Sequence, residues 1–166
     1  MASLDSGKDY VINYLKRNYP PGSTALDVGA CDGKWFNLLG DYFTMDAVEI
    51  FEPSVKYHRL EEKYRKVFIG NITDYVYIRG DYDIAIFGDV VEHMPVQDAQ
   101  RVLFLAQRRC KEVIVAVPYR WPQHAMYGNQ WEKHIQDDLT HELFMERYHG
   151  FKLLYQVHNY GYYIKA

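Results

Sequence analysis

The chain is expected to fold as α/β, with a doubly wound, mostly parallel sheet and helices on both faces. Two observations predict it. Short apolar runs alternate with segments of helical periodicity along most of the sequence, and the first of those runs enters a turn punctuated by glycines. Residues 5–18 place Tyr10, Val11, Tyr14 and Leu15 on one helical stripe, and Pro20, Pro21 and Gly22 stop that helix. The first strand is 24–29, a helix over about 33–40 follows the glycine turn, and the second strand is 44–50. Pro53 and Ser54 open a charged helix that runs to about 65, and 66–69 is the third strand. A short helical or irregular piece near 73–79 leads into the fourth strand, 82–88.

Val96, Ala99, Val102, Leu103 and Ala106 recur at helical spacing within 96–109, ahead of a fifth strand at 112–117. There the rhythm breaks. Residues 118–137 are rich in aromatic, proline and polar residues and read as a long ordered loop. A helix over 138–148, closed by Gly150, restores the alternation. Two last strands, 151–157 and 161–165, meet at the turn His158, Asn159, Tyr160.

Composition bounds the function classes. A length of 166 residues suits one core and is short for two ordinary domains, so residues 1–166 read as a single domain. Cys31 and Cys110 lie in different elements without metal-ligand spacing, which points to a reduced, cytoplasmic protein. No apolar run approaches membrane-spanning length, and the first five residues have neither the basic start nor the apolar stretch of a signal peptide. A net charge of −3 and a pI near 6.1 provide no electrostatic footprint for nucleic acid, which argues against a DNA or RNA substrate. The 16 tyrosines read as half-buried packing rather than as an aromatic binding face.

The chemistry begins at the glycine turn. Gly29 and Gly33 lack a Cβ, so the turn can take positive φ and bring its backbone N–H groups close to a ligand. The position of the acid discriminates between ligands. A dinucleotide fingerprint leads with glycines and places its carboxylate about 20 residues later. Here Asp27 precedes the glycines and Glu49 ends the next strand, 22 positions on. This arrangement, Asp-x-Gly-x-x-x-Gly followed by a strand-end Glu, resembles the class I S-adenosylmethionine-dependent methyltransferases. Three further segments match that family in order and spacing: Phe68 to Ile72 after the third strand, Tyr82 to Met94 at the fourth, and Val113 to Pro118 at the fifth. Together they span nearly the whole chain. One position departs: Cys31 stands where many members carry a middle glycine, so the loop is expected to approach the cofactor less closely.

The resemblance implies a Rossmann-like seven-stranded sheet in the order 3-2-1-4-5-7-6, with strand 7 antiparallel and a crevice beyond the carboxyl ends of the strands where the order reverses. It implies S-adenosylmethionine as cofactor, with S-adenosylhomocysteine as product, and a role for each loop. Asp27 would anchor loop amides or face the cofactor's ammonium, while Gly29, Ala30 and Gly33 supply close backbone. Glu49 would accept both ribose hydroxyls. Ile50 and Phe51 would pack on the adenine face, Asn71 and Ile72 would meet its edge, and Phe87 and Gly88 would line the path of the methyl group. A strand-end acid taken singly is common; two acids with the right strands between them favour the cofactor reading.

Asp89, Glu92 and His93 crowd three ionisable groups into five positions at a strand end, where shifted protonation is expected. His93 and Asp89 are the candidate catalytic residues; the plainer alternative is that they cap or pack the next helix. In ubiquinone-pathway and small-RNA methyltransferases, a similar acid-x-x-Glu-His segment binds a divalent metal, and His134 or His124 could complete such a set. The same pattern is shared by members without a metal, so the expectation for this chain is none. The loop 118–137 carries Tyr119, Arg120, Trp121, His124, Tyr127, Asn129, Trp131, Glu132 and His134, and is placed to form the acceptor pocket. The expected activity is methyl transfer to an O or N atom of a small molecule. Two alternatives stay open: a nicotinamide-dependent oxidoreductase, which the acid and glycine spacing disfavours, and a non-catalytic binding module on the same fold.

Overall fold

The computed structural model describes residues 7–74, 78, 80–126 and 128–166. Among the described residues there are seven strands: β1 (Thr24–Val28), β2 (Thr44–Glu49), β3 (Lys66–Ile69), β4 (Tyr82–Gly88), β5 (Cys110–Pro118), β6 (Lys152–Val157) and β7 (Tyr160–Lys165). They form one sheet in the order β3-β2-β1-β4-β5-β7-β6, the order expected from the resemblance. The first five strands are parallel, and β7 runs antiparallel to both β5 and β6.

The period of two along each strand divides the core into two layers. Leu26, Val28, Ala85, Phe87, Val113 and Val115 pack on one face, beneath α5 (Val96–Gln107) and α6 (His141–Arg147). Ala25, Ala47, Ile84, Ile86 and Ile114 pack on the other, beneath α1 (Lys8–Asn18), α2 (Lys34–Leu39), α3 (Glu52–Tyr57) and α4 (Leu60–Lys63). Both faces are covered, which is why β4 and β5 read as nearly unbroken apolar runs. Asp46 on β2 accepts a two-pronged pair of hydrogen bonds from Arg65 at 2.8 and 2.7 Å and a third from Tyr82 at 2.8 Å. That clamp fixes the entries to β3 and β4 against β2.

Several element boundaries differ from expectation for local reasons. The charged helix expected to run to 65 is two pieces, because Arg59 sits at φ 55 in the left-handed region and breaks the helical path. The last helix begins at His141 rather than 138, where the Thr140 hydroxyl accepts the Leu143 N–H at 3.2 Å and caps it. Tyr10 is not on the core stripe of α1. It is 48% exposed and stacks on Tyr155, whereas Lys8, Val11 and Leu15 face inward. Of the piece expected near 73–79, a single 3-10 turn over Ile72–Asp74 is described, and residues 75–77 and 79 lie outside the described residues, as does Tyr127. Among the described residues no helix is long and apolar enough to cross a membrane.

Candidate functional site

A cleft of about 620 Å³ opens at the carboxyl ends of β1, β2, β4 and β5, a size suited to a cofactor or drug-sized ligand. Its floor is the turn after β1. Gly29 and Gly33 have φ of 73 and 78°, the conformation that the sequence requires of them, and Cys31 adopts φ 48° between them. The missing Cβ atoms serve packing more than ligand approach. A Cβ on Gly29 would lie 2.7 Å from Val90 Cγ2, and one on Gly33 3.2 Å from Leu60 Cδ2. The turn's N–H groups are also engaged within the protein: Gly29 and Ala30 donate to Val48 O, Gly33 to Ala30 O, and Cys31 to Glu49. This turn therefore offers a ligand its bare surface rather than a ring of N–H donors, a correction to the expected role.

Glu49 is on the cleft wall and 5% exposed. Its two oxygens accept the Cys31 N–H at 2.7 Å and the Phe51 N–H at 2.8 Å, so the carboxylate is braced from both sides. Burial pushes its pKa above the usual range, and those two N–H groups pull against the rise. Asp27 is elsewhere. It is fully buried, absent from the cleft wall, and accepts the Tyr64 hydroxyl at 2.5 Å. Its other oxygen has no hydrogen-bond partner among the described residues, so it anchors no loop amide. Burial drives its pKa up to about 7, with the Tyr64 hydrogen bond opposing and the charges of Glu49 and Asp32 adding.

Ile50, Asn71 and Ile72 line the cleft. Asn71 engages its side-chain oxygen with the Thr73 N–H at 3.0 Å. Phe51 and Phe87 do not line it. Phe51 contributes its N–H to Glu49, and Phe87 is fully buried among Leu26, Val28 and Ala85, because alternation along β4 points it into the core while Gly88 reaches the wall. A Cβ at Gly88 would collide with Trp35 Nε1, so this glycine makes room for the indole.

Beyond β4 the ionisable residues separate into two groups. Asp89, at φ 56°, accepts the Tyr160 hydroxyl at 2.7 Å, and both line the cleft. Glu92 is fully buried, and neither of its carboxylate oxygens has a hydrogen-bond partner among the described residues. Burial first, then the charge of Asp89, pushes its pKa well above the usual carboxylate range. A carboxylate without donors in such a place calls for a proton or a cation. Two imidazoles stand beside it: the ligand atoms of Glu92, His93 and His134 lie within 4.8 Å of one another. Asp89 and His124 are not in that set, and His124 is exposed.

Each imidazole is oriented by a backbone carbonyl. His93 Nδ1 lies 3.2 Å from Lys133 O and His134 Nδ1 2.5 Å from Trp121 O, which places hydrogen on Nδ1 and leaves Nε2 as the lone pair in both. The rings meet edge-on at 4.6 Å. Burial, then the neighbouring His134, lowers His93 to about 4, and burial lowers His134 as well. Both are neutral at pH 7.

The loop after β5 is strapped to this turn. Glu92 O accepts the Ile135 and Gln136 N–H groups at 2.8 and 3.0 Å, and Gln136 Nε2 donates to Val91 O and Met94 O. Trp121 and Trp131, 37% and 45% exposed, thereby come to the cleft wall. Tyr119 does not: it is buried and pairs with Tyr163. Three residues near the site escaped the sequence reading. Trp35 and Tyr160 line the cleft, and the Lys8 ammonium lies 5.3 Å from the Trp35 ring and 5.8 Å from the Tyr160 ring.

No protein-family model and no curated protein matches the sequence. Solved structures do. The bifunctional kinase-methyltransferase WbdD superposes with a TM-score of 0.69 at 15% identity over 98% of this chain and 40% of that one. An O-methyltransferase family protein from Burkholderia thailandensis gives 0.65 at 12% identity over 93% and 53%. An S-adenosylmethionine-dependent methyltransferase from Clostridium acetobutylicum gives 0.70 at 12% identity over 94% and 88%. The chain thus spans about half or less of the first two and most of the third. With its strand order and a crevice where that order reverses, this chain has the class I S-adenosylmethionine-dependent methyltransferase fold.

Proposed function

We propose that this protein transfers a methyl group from S-adenosylmethionine to an O or N atom of a small-molecule acceptor. The observation that carries the proposal is Glu49: a buried carboxylate at the end of β2, on the cleft wall, braced by two N–H groups. Each of its oxygens keeps a lone pair for a ribose hydroxyl, so the residue fits the cofactor. When bound, that cofactor supplies a methyl group on a sulfonium centre. Ile50 and Ile72 form the apolar slot for the adenine, and the unadorned turn at Gly29 and Ala30 lets the ligand lie close. The loop carrying Trp121 and Trp131 walls off water and holds the acceptor, and such positioning supplies much of the rate of an in-line transfer. His93 presents Nε2 to receive the acceptor's proton. The cytoplasmic setting expected from the two unpaired thiols belongs to the same proposal. Incubating the protein and labelled S-adenosylmethionine with the small-molecule fraction of a cell extract should yield a labelled product; absence of any transfer, with cofactor bound, would favour a non-catalytic module.

One observation favours a second reading of the acceptor side. An imidazole held near a pKa of 4 is a weak base at neutral pH but a ready metal ligand, and among the described residues neither carboxylate oxygen of Glu92 has a hydrogen-bond donor. Glu92, His93 and His134 fit a divalent cation, each through one atom, with the Nδ1 hydrogen bonds to Lys133 O and Trp121 O fixing both rings. Bound there, such a cation would acidify an acceptor hydroxyl. Elemental analysis, with activity measured before and after chelation, separates this reading from the metal-free one.

A further inference from the structure

The charge on the cleft wall bears on what the acceptor can be. Asp32, Glu49, Asp89, Asp98 and Glu132 line it against Lys34 and Lys133, and the imidazoles of His93 and His134 are neutral at pH 7. The proposed cofactor brings a single net positive charge, which leaves carboxylates in excess. A cleft lined by one sign of charge, with low-dielectric walls, concentrates ligands of the other sign.

Glu132, on the acceptor side, is held in place. Gln123 Nε2 donates to its main-chain oxygen at 2.7 Å and to its Oε2 at 3.1 Å. The short turn that carries it, Gln130–Glu132, is pinned by the buried Asn129, whose Oδ1 accepts the Trp131 N–H at 3.0 Å. The Gln123 amide leaves the carboxylate with acceptor capacity toward the cleft. Burial, then the charge of Glu132, pushes the Cys31 thiol up to about 12, and after burial the same charge adds to the rise at Glu49 and Glu92. That charge is therefore felt on both sides of the cleft. Trp121 and Trp131 line the same wall and are partly exposed, and the face of an indole attracts a cation. Behind the two imidazoles, Glu92 is fully buried and neither of its oxygens has a hydrogen-bond partner among the described residues. Its carboxylate lies within 4.8 Å of their ring nitrogens, and a buried acid in that state is stabilised by positive charge brought near it.

We infer that the acceptor is a small organic cation, with its charged nitrogen held against Trp121, Trp131 and Glu132. The inference rests on the methyl-transfer reading above and narrows its acceptor to one charge class. A carboxylate or phosphate ester entering the same corner meets Asp98 and Glu132 and is turned away.

The test divides the small-molecule fraction of a cell extract at pH 7 on a cation exchanger and an anion exchanger. Each pool, and the unretained one, is then incubated with the protein and labelled S-adenosylmethionine. Labelled product, separated from the cofactor, should arise from the pool held by the cation exchanger. With that pool as substrate, Glu132→Gln and Trp131→Leu should each raise the amount needed for half-maximal transfer about tenfold while nearly keeping the maximal rate, because binding is lost and not chemistry. Acceptor activity confined to the anion-exchange or unretained pool would overturn the inference, as would unchanged half-saturation in both folded variants. No transfer from any pool, by a protein that binds S-adenosylhomocysteine, would overturn the methyl-transfer reading and the inference with it, a different and recognisable result.

Discussion

Replacing Asp27 with Asn should make the protein more stable, and increasingly so as pH rises. Asp27 is fully buried beneath the turn after β1, and burial raises its pKa from 3.8 to about 7. In the unfolded chain the ordinary value returns. Between those two values the folded state holds a proton that the unfolded state releases, so stability falls as pH rises through that window and levels off above about 7. Three units at 1.36 kcal/mol each make the full effect roughly 4 kcal/mol, of which roughly 3 kcal/mol lies between pH 5 and pH 8. Asn keeps an acceptor for the Tyr64 hydroxyl and has no charge to bury. Glu49 and Glu92, also raised by burial, are present in both proteins and cancel in the difference. Urea unfolding of the ligand-free proteins at pH 5, 6, 7 and 8 should therefore show the variant gaining on the parent by roughly 3 kcal/mol, which for a chain of this length corresponds to roughly 6–12 °C in Tm. A gap that stays constant with pH would refute the assignment of a neutral, buried Asp27; a parent that gains on the variant would reverse it.

Glu49→Ala should weaken binding of S-adenosylhomocysteine by about 1.5–3 kcal/mol in calorimetry, and should also lower Tm, because the Cys31 and Phe51 N–H groups lose their acceptor. His93→Ala and Trp131→Ala should leave cofactor affinity nearly unchanged while methyl transfer falls, by roughly 100-fold for His93 and through weaker acceptor binding for Trp131; loss of cofactor affinity in either folded variant would place them on the wrong side of the cleft. Because His93 is held neutral down to about pH 4, the rate profile should show no acid limb from it between pH 6 and 7, and a limb there removed by His93→Ala would contradict the burial argument. If Glu92, His93 and His134 hold a divalent cation, adding that ion should raise Tm in the parent and not in His134→Ala, as binding to the folded state requires.

Strand positions were legible because apolar runs bounded by turns are local: β3 and β4 lie where 66–69 and 82–88 place them. The strand order was legible only through the ordered motifs, since nothing local in β7 tells it to insert between β5 and β6. What failed was the direction of individual side chains. Neighbouring residues on a strand point to opposite faces, so Asp27 and Phe87 fall inside the sheet's two layers although Val28 and Gly88 beside them reach the cleft. Tyr160 and Lys8 were missed for a different reason. Each lies far in sequence from the motifs and is brought to the site by β7 and by the first turn of α1, and one tyrosine among 16 carries no local signal. His134 was visible as one of two choices for the partner of His93, and the pairing was decided by the hydrogen bonds from Ile135 and Gln136 to Glu92 O.

The central claim is that the cleft built around Glu49 takes an adenosyl sulfonium cofactor. Titration of the purified protein with S-adenosylmethionine and, separately, with nicotinamide adenine dinucleotide tests it most directly. The account predicts saturable one-site binding of the first, weakened by Glu49→Ala, and none of the second. Binding of the dinucleotide alone by the folded protein would contradict it.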